Sequence, residues 1–215
     1  MADNSGPVSY RTLEREGSWE FTEKKSRFIG YAAPALREED AKRFVEDVRH
    51  RHPGCSAVLY AYACGYQGET QHYHDAHEPS GGLLMLETLK RVGVCGAVTA
   101  VARYYGGVQL GAGPLGRAFA QAAAQAVADA HPCQVERTLR FAVECDYGQS
   151  GKLEYALSHS PHRLLGLEYG QRVRARVDVR QSLENRFRTD IAALTAGGSQ
   201  PELQDTRYDR WDAEK

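Results

Sequence analysis

The spacing of apolar residues predicts most of the helices and strands in the first half of the chain. Segment 37–51 has apolar residues at helical intervals on a charged background, which predicts an amphipathic helix; these residues are Ala41, Phe44, Val45 and Val48. Two nearly continuous apolar runs, 55–64 and 96–104, are typical of strands buried on both faces. An alanine-rich helix is predicted over 114–130. Segment 65–81 is rich in Gly and His, has no period and is predicted to be a loop.

Later in the chain, predicted strands and helices alternate in the order βαββαβ. Apolar and polar residues alternate over 138–147 and 172–180, as in strands with one buried face. A helix before the last strand has an apolar stripe that we interpret as core, formed by Leu183, Phe187, Ile191 and Leu194. This order is typical of a ferredoxin-like module. The sequence therefore predicts a flexible lead-in over 1–17, a first domain over 18–133 and a second, ferredoxin-like domain over 134–215.

The composition and charge exclude several classes of protein. The chain has 215 residues, with 27 Lys and Arg against 28 Asp and Glu, so any nucleic-acid binding must come from a local basic patch. No apolar run approaches the roughly 18 residues that a membrane-spanning helix needs, and the N-terminal residues lack the pattern of a secretion signal. The five cysteines include no CxxC pair and are interpreted as reduced thiols. We expect a cytoplasmic protein with no membrane partner.

Segment 103–117, with the sequence RYYGGVQLGAGPLGR, is the strongest candidate for a binding site. It leads from a buried strand into a helix, and its glycines allow backbone N–H groups to approach an anion at the helix N-terminus. Arginines could add positive charge and tyrosines could stack on a base, although the spacing is neither a P-loop nor a dinucleotide-binding motif. The candidate residues are Arg103, Tyr104, Tyr105, Gly106, Gly107, Gly111, Gly113 and Arg117. The alternative is a connection that needs glycines for its backbone conformation alone.

Three motifs, in this order along the chain, carry a resemblance to a known family. They are Lys25-Ser26-Arg27-Phe28-Ile29, Glu78-Pro79-Ser80-Gly81 and segment 103–117, which has Pro114 in place of a glycine and is followed by Phe119 in place of a tyrosine. With these motifs the chain resembles the IMPACT/YigZ family strongly over about residues 18–130 and weakly beyond. The middle motif departs from the family, because Asp75-Ala76-His77-Glu78-Pro79 stands where the family has D-D-G-E-P.

The resemblance implies an α+β fold and a role in translation. The N-terminal domain would be a left-handed βαβ sandwich, similar to one domain of elongation factor G and to some ribosomal proteins, followed by the ferredoxin-like domain. Eukaryotic members of the family act in translational control, and bacterial members are usually interpreted as RNA- or ribosome-associated. We therefore expect a non-enzymatic protein that binds RNA or the ribosome, regulates translation and uses no cofactor. Arg27 and Glu78 are expected to support the same cleft as segment 103–117.

A group of histidines offers a second candidate site. His72, His74 and His77 are close together in the sequence, and His-x-His with a third imidazole can bind zinc or nickel. The alternative is a solvated polar loop. A metal here would suit a hydrolase-like enzyme that acts on a small anionic ligand at the glycine-rich segment, although the sequence contains no HExxH or GxSxG motif. Enzymatic activity stays open at this point, and a non-enzymatic role is favoured.

A basic strand in the second domain is a third candidate. Arg172, Arg174 and Arg176 share one face of this predicted strand, where they could contact phosphates or dock a protein partner. The alternative is that Glu144 and Asp146, on the neighbouring strand, pair with these arginines and neutralise much of their charge.

Overall fold

The described residues of the computed structural model, 6–78 and 80–211, divide into two compact units. One unit is Tyr10–Gln134, and the other extends from Val135 and includes the segment up to Ser9. Each unit is built around its own antiparallel sheet. Among the described residues, no helix is both long and apolar enough to span a membrane.

The first unit contains a five-stranded sheet and three helices among its described residues. In chain order its elements are β1 (Ser9–Leu13), β2 (Gly17–Glu23), β3 (Ser26–Pro34), α1 (Glu38–Arg51), β4 (Ala57–Cys64), β5 (Thr70–His74), α2 (Gly81–Val92), β6 (Ala97–Tyr104) and α3 (Ala112–Asp129). The sheet has the order β2-β3-β6-β4-β5, and every neighbouring pair is antiparallel.

Helices cover both faces of this sheet. On one face α1 packs against the strands, and the buried residues there include Val45, Val48, Val58, Tyr62 and Val98. On the opposite face α2 and α3 pack against the strands, and the buried residues there include Leu59, Met85, Leu89, Val101 and Phe119. Because both faces are covered, the central strands β4 and β6 are apolar at successive positions, as their sequences predicted.

Small residues bring α3 close to the sheet. A Cβ atom added to Gly30 on β3 would lie 2.4 Å from the carbonyl oxygen of Ala122, so only glycine fits at this contact. The facing side of α3 is mostly alanine, which lets the helix backbone approach the strands. The helix begins at Ala112, before the predicted start at Pro114; a proline is tolerated in the first turn, where its missing N–H would have no helical partner.

The second unit confirms the α+β class and the predicted element order. Its elements are β7 (Pro132–Cys145), α4 (Tyr147–Ser158), β8 (Arg163–Tyr169), β9 (Val173–Arg180), α5 (Glu184–Leu194) and β10 (Glu202–Asp209). Antiparallel pairing gives the strand sequence β10-β7-β9-β8, as in a ferredoxin-like module. The core between this sheet and its two helices includes Phe141, Val143, Leu153, Phe187 and Ile191.

The structure corrects two sequence predictions in the first unit. Strand β1 lies inside the predicted flexible lead-in 1–17, of which residues 1–5 fall outside the described residues. A long-range hydrogen bond fixes it, because the Cys95 N–H donates to the Arg11 carbonyl at 2.8 Å. Strand β5 lies inside the predicted loop 65–81. It pairs with β4 through the backbone, and four of its five side chains are exposed, so no apolar pattern reveals it.

Candidate functional site

The glycine-rich segment forms one wall of a cleft in the first unit. Residues 105–111 connect the end of β6 to the start of α3. The cleft has a volume of about 540 Å³ and is lined by Ser56, Glu78, Arg103, Tyr105, Gln109, Leu110, Ala112 and Leu115. We call it the glycine-rich cleft. Of the predicted site residues, Glu78, Arg103 and Tyr105 thus lie together, and α3 starts at the same place.

Arg103 is buried at the base of the glycine-rich cleft and is paired inside the protein. Its side chain is 6% exposed and forms an ion pair with Glu78. A second guanidinium nitrogen lies 3.5 Å from the Ser26 hydroxyl, whereas Nε has no hydrogen-bond partner among the described residues. The guanidinium carbon also lies 5.4 Å from the centre of the Tyr105 ring. Glu78 therefore neutralises the positive charge of Arg103, which the sequence predicted would help to bind an anion.

Tyr104 and Arg27 lie on the opposite face of the sheet, which corrects their predicted place in the cleft. Successive side chains of a strand point to opposite faces, so Tyr104 cannot join Arg103. Arg27 is directly across from Tyr104 in the β3–β6 register, and its guanidinium carbon lies 5.7 Å from the centre of that ring. Arg27 also forms two hydrogen bonds to Glu20, at 2.5 and 2.7 Å.

His52 links two tyrosines on this opposite face, and sequence reasoning missed it. Its Nδ1 lies 2.9 Å from the Tyr104 hydroxyl, and its Nε2 lies 2.8 Å from the Tyr31 hydroxyl. Burial lowers the pKa of His52, and the charges of Arg27 and Arg51 lower it further, so the imidazole is neutral at pH 7. The sequence did not reveal this group because Tyr31 and Tyr104 come together only when β3 pairs with β6. The sequence of neither strand indicates that pairing.

The backbone amides of the glycine-rich segment are partly occupied and partly open. The Tyr105 N–H donates to the Ser56 hydroxyl at 2.9 Å, and the Gly106 N–H donates to the Ser26 hydroxyl at 3.4 Å. Nothing among the described residues accepts a hydrogen bond from the amides of Gly107, Gly111, Ala112 and Gly113, and α3 has no side-chain cap. These amides and the helix N-terminus together favour a negatively charged guest.

Glycine is required at two positions of this segment. A Cβ atom at Gly106 would lie 1.8 Å from the carbonyl oxygen of Lys25, so the segment passes directly against the β2–β3 turn. Gly107 has φ +83°, a conformation that side chains disfavour. The predicted alternative, in which the glycines serve the backbone conformation, therefore describes Gly107, whereas Gly106 is required by the close contact with Lys25. Gly111 and Gly113 leave their amides open.

Two cations beside the open amides have no ion pair among the described residues. Arg117 is exposed in the second turn of α3, and one of its nitrogens lies 3.5 Å from the position of a Cβ atom at Gly113. Lys25 is exposed in the turn that contacts Gly106. Lys25 belongs to the first sequence motif, although the sequence did not predict it as a site residue.

Comparison with known proteins identifies the family. The Impact N-terminal domain matches residues 24–127, and a domain of unknown function, DUF1949, matches residues 143–197. The "IMPACT family member YvyE" of Bacillus subtilis (strain 168) is 32% identical over 195 residues, covering 89% of this chain and 89% of that protein. The chain belongs to the IMPACT family.

A second relative agrees with this IMPACT-family assignment, and a solved structure shares the fold. The "IMPACT family member YigZ" of Escherichia coli (strain K12) is 31% identical over 181 residues, covering 82% of this chain and 89% of that protein. A solved structure described as "Crystal structure of an hypothetical protein" matches with a TM-score of 0.59 and 27% identity. It covers 93% of this chain and 98% of that chain.

The altered middle motif of this IMPACT-family chain holds the loop that carries Glu78. The Gly82 N–H at the start of α2 donates to the Asp75 carboxylate at 2.6 Å, and the Glu78 N–H donates to the Asp75 carbonyl at 2.8 Å. Ser80, at φ +66°, precedes α2 and provides no side-chain cap. The Asp75 carboxylate instead accepts a hydrogen bond from a backbone N–H in the first turn of the helix. Pro79 of the motif lies outside the described residues.

The predicted metal site is not assembled. His72 and His74 lie on β5 and face tyrosines, with the His74 ring centre 5.2 Å from that of Tyr60 and the His72 ring centre 5.4 Å from that of Tyr62. His77 lies beyond the end of the strand. Within 6–78 and 80–211, no three His, Cys, Asp or Glu side chains are grouped closely enough to hold a metal ion.

The basic strand of the second unit is neutralised by its neighbours, as the alternative interpretation expected. Arg174 is directly across from Glu144 in the β7–β9 register, at a nitrogen–oxygen distance of 3.4 Å. Arg172 pairs with Asp146 at 3.1 Å and Arg176 with Glu168 at 3.2 Å. This strip therefore offers phosphates much less charge than its sequence indicates.

Proposed function

We propose that this IMPACT-family protein is a non-enzymatic RNA- or ribosome-associated protein that contacts structured RNA through the glycine-rich cleft. The observation that carries the proposal is the set of open amides of Gly107, Gly111, Ala112 and Gly113, which lead into the N-terminus of α3. Arg117 and Lys25 lie beside them and have no ion pair within the described part of the chain. Phosphate oxygens are suitable acceptors for backbone amides at a helix N-terminus. Translation regulation would follow from binding at the ribosome.

Other features of the cleft favour binding over catalysis. Tyr105 is 49% exposed, so its ring can stack on an unpaired base. Among the described lining residues the one carboxylate is Glu78, and its ion pair with Arg103 leaves no free acid–base pair in the cleft. Affinity would therefore come from the open amides, the exposed cations and stacking.

The salt dependence of RNA binding tests this proposal. About two phosphate contacts, from Lys25 and Arg117, predict that affinity falls roughly 7–12-fold between about 50 and 200 mM salt. Fluorescence anisotropy with a labelled structured RNA measures this directly, and co-sedimentation with purified ribosomes tests the ribosomal target. Arg117→Glu and Lys25→Glu should each weaken binding by about three- to tenfold.

The matched control is Arg43→Glu. It makes the same charge change at an exposed position of α1, which lies on the opposite face of the sheet. It should leave the affinity within about twofold of the parent protein. Absence of binding to both RNA and ribosomes would overturn the proposal. So would a salt-independent affinity, or an equal loss in the Arg43 variant.

A further inference from the structure

The second unit contains a cavity of its own, which shares no lining residue with the glycine-rich cleft. It lies beside α4 and α5 and has a volume of about 440 Å³, within the range of small-molecule sites in proteins. Its walls are mainly apolar and include Ala156, Leu157, Phe187, Ile191 and Leu194. These walls suit an aliphatic or aromatic group of a ligand.

A buried histidine gives this apolar wall one hydrogen-bonding atom without a partner. His162 is 9% exposed and lines the cavity, and its ring packs edge-on against Phe187 with 5.0 Å between the ring centres. Its Nδ1 is buried and has no hydrogen-bond partner among the described residues. Buried polar atoms in folded proteins are normally paired, so an unpaired nitrogen in a cavity wall points to a partner supplied by a ligand.

The rim of the cavity carries two opposite charges that do not pair with each other. Lys152 on α4 and Asp190 on α5 are both exposed and both line the cavity. Lys152 has no ion pair among the described residues, whereas Asp190 lies 3.7 Å from Arg186 in an exposed helical pair, a contact worth little. A ligand with both a carboxylate and an ammonium group can engage both charges at once.

His162 and Asp190 both line the cavity, and Asp190 is close enough to interact electrostatically with the imidazole. The negative charge of Asp190 reaches the imidazole, but burial is the larger effect and holds the pKa of His162 below its ordinary value. The ring is therefore neutral at pH 7, and a neutral imidazole has one nitrogen that accepts a hydrogen bond. A carboxylate next to such an acceptor suits an ammonium group.

We propose that this cavity binds a free α-amino acid with an apolar side chain. The ammonium group lies between Asp190 and His162, the carboxylate pairs with Lys152, and the side chain packs against the apolar walls. A plain fatty acid would meet repulsion from Asp190, and a plain amine would leave Lys152 unpaired. The zwitterion is the ligand class that uses Lys152, His162 and Asp190 together.

Calorimetric titration of the full chain with L-leucine and L-phenylalanine tests the inference. We expect saturable binding of at least one of them, and about tenfold weaker binding of the analogues that lack one charge, 4-methylpentanoate and 3-methylbutylamine for leucine. Lys152→Met and Asp190→Asn should each reduce the affinity by a similar factor. His162→Leu removes the accepting nitrogen, so it should weaken the ammonium contact and therefore affect the amine analogue as well.

A blocking variant and a same-helix control make the result decisive. Ala156→Phe fills the cavity from α4 and should abolish binding, whereas Glu154→Gln, exposed on α4 but not lining the cavity, should retain it. Circular dichroism checks that each variant is folded. The inference is overturned if neither amino acid binds at up to roughly 20 mM. It is also overturned if binding survives Ala156→Phe, or if a singly charged analogue binds as tightly as its parent.

Discussion

Asp178 carries an almost fully buried carboxylate in the sheet of the second unit. Arg140 donates to it at 2.8 and 3.1 Å, and Arg207 also donates to it. Burial alone would raise the pKa of Asp178, but the hydrogen bond from Arg140 and the charges of both arginines outweigh burial and lower it. The carboxylate thus joins side chains from β7, β9 and β10 in one ionic cluster.

Asp178→Asn should destabilise the protein by roughly 3 kcal/mol, because both arginines lose their buried counter-charge. Urea unfolding at about pH 7 measures the change. Since the folded pKa is below the unfolded value of about 3.9, this stability is fully present above that value and is lost as the pH falls through the folded pKa. Asp190→Asn, the same change at an exposed pair of the same unit, should cost less than about 1 kcal/mol. An equal cost for the two variants would contradict this account of Asp178.

His162 should make the protein less stable in mild acid. Burial lowers its folded pKa below the unfolded value of about 6.5, although Asp190 opposes the shift and Arg186 adds to it. The contribution is therefore fully present above about pH 6.5 and decreases as the pH falls toward the folded pKa. His162→Gln should flatten the dependence of the unfolding free energy on pH between about 7.5 and 5.5.

Two comparisons isolate this contribution. The exposed His50→Gln variant should keep the acid sensitivity of the parent. His52, whose pKa is also lowered, leaves a residual slope in the His162 variant. If His162→Gln and His50→Gln gave the same profile, burial of His162 would not account for the loss.

At the scale of elements, the close contact between α3 and β3 depends on Gly30. An alanine there would bring Cβ within 2.4 Å of the Ala122 carbonyl oxygen, which is backbone and cannot rotate away. We expect Gly30→Ala to cost about 2–3 kcal/mol in urea unfolding, as overpacking of a close contact does. Gly54→Ala is the control, since its Cβ would meet no atom within 4 Å. A cost below about 0.5 kcal/mol for Gly30→Ala would show that the helix can shift.

Elements with a strong apolar period could be predicted from the sequence, and elements fixed by distant partners could not. Helix α1 and strands β4 and β6 bury side chains at regular intervals, so their patterns identify them. Strand β5 buries almost no side chain and exists through its pairing with β4. Strand β1 is fixed by contacts more than 80 residues away, such as the bond from Thr12 to the Gly96 carbonyl.

The position of the cleft could be predicted from the sequence, but the residues that line it could not. Segment 103–117, between a buried strand and an alanine-rich helix, does border a cleft, although its glycines are not among the described lining residues. Arg103 and Tyr104 are adjacent in the motif, but successive side chains of a strand point to opposite faces of the sheet. The alternation therefore already predicts that these two residues do not share one site. The ion pair between Glu78 and Arg103 spans 25 residues, and only the folded chain shows that the acidic loop closes on the arginine.

At the scale of the whole molecule, each unit contains one of the two tryptophans of the chain. Trp19 lies on β2 of the first unit and is 46% exposed. Trp211 follows β10 in the second unit, where its indole N–H donates to the Thr138 hydroxyl at 2.7 Å and Arg163 lies 4.0 Å from its ring centre. Fluorescence of single-tryptophan variants can therefore follow each unit separately.

The buried residues of the two units form different clusters, so a defect in one core should lower the stability of its own unit first. In a Trp211→Phe background, Gly30→Ala should lower the urea midpoint reported by Trp19. In a Trp19→Phe background, the same Gly30→Ala change should lower the midpoint reported by Trp211 by less than half as much, and Asp178→Asn should give the reverse pattern. Equal shifts at both tryptophans for both variants would mean that the chain unfolds as one cooperative body, and that the separate cores do not act as separate folding units.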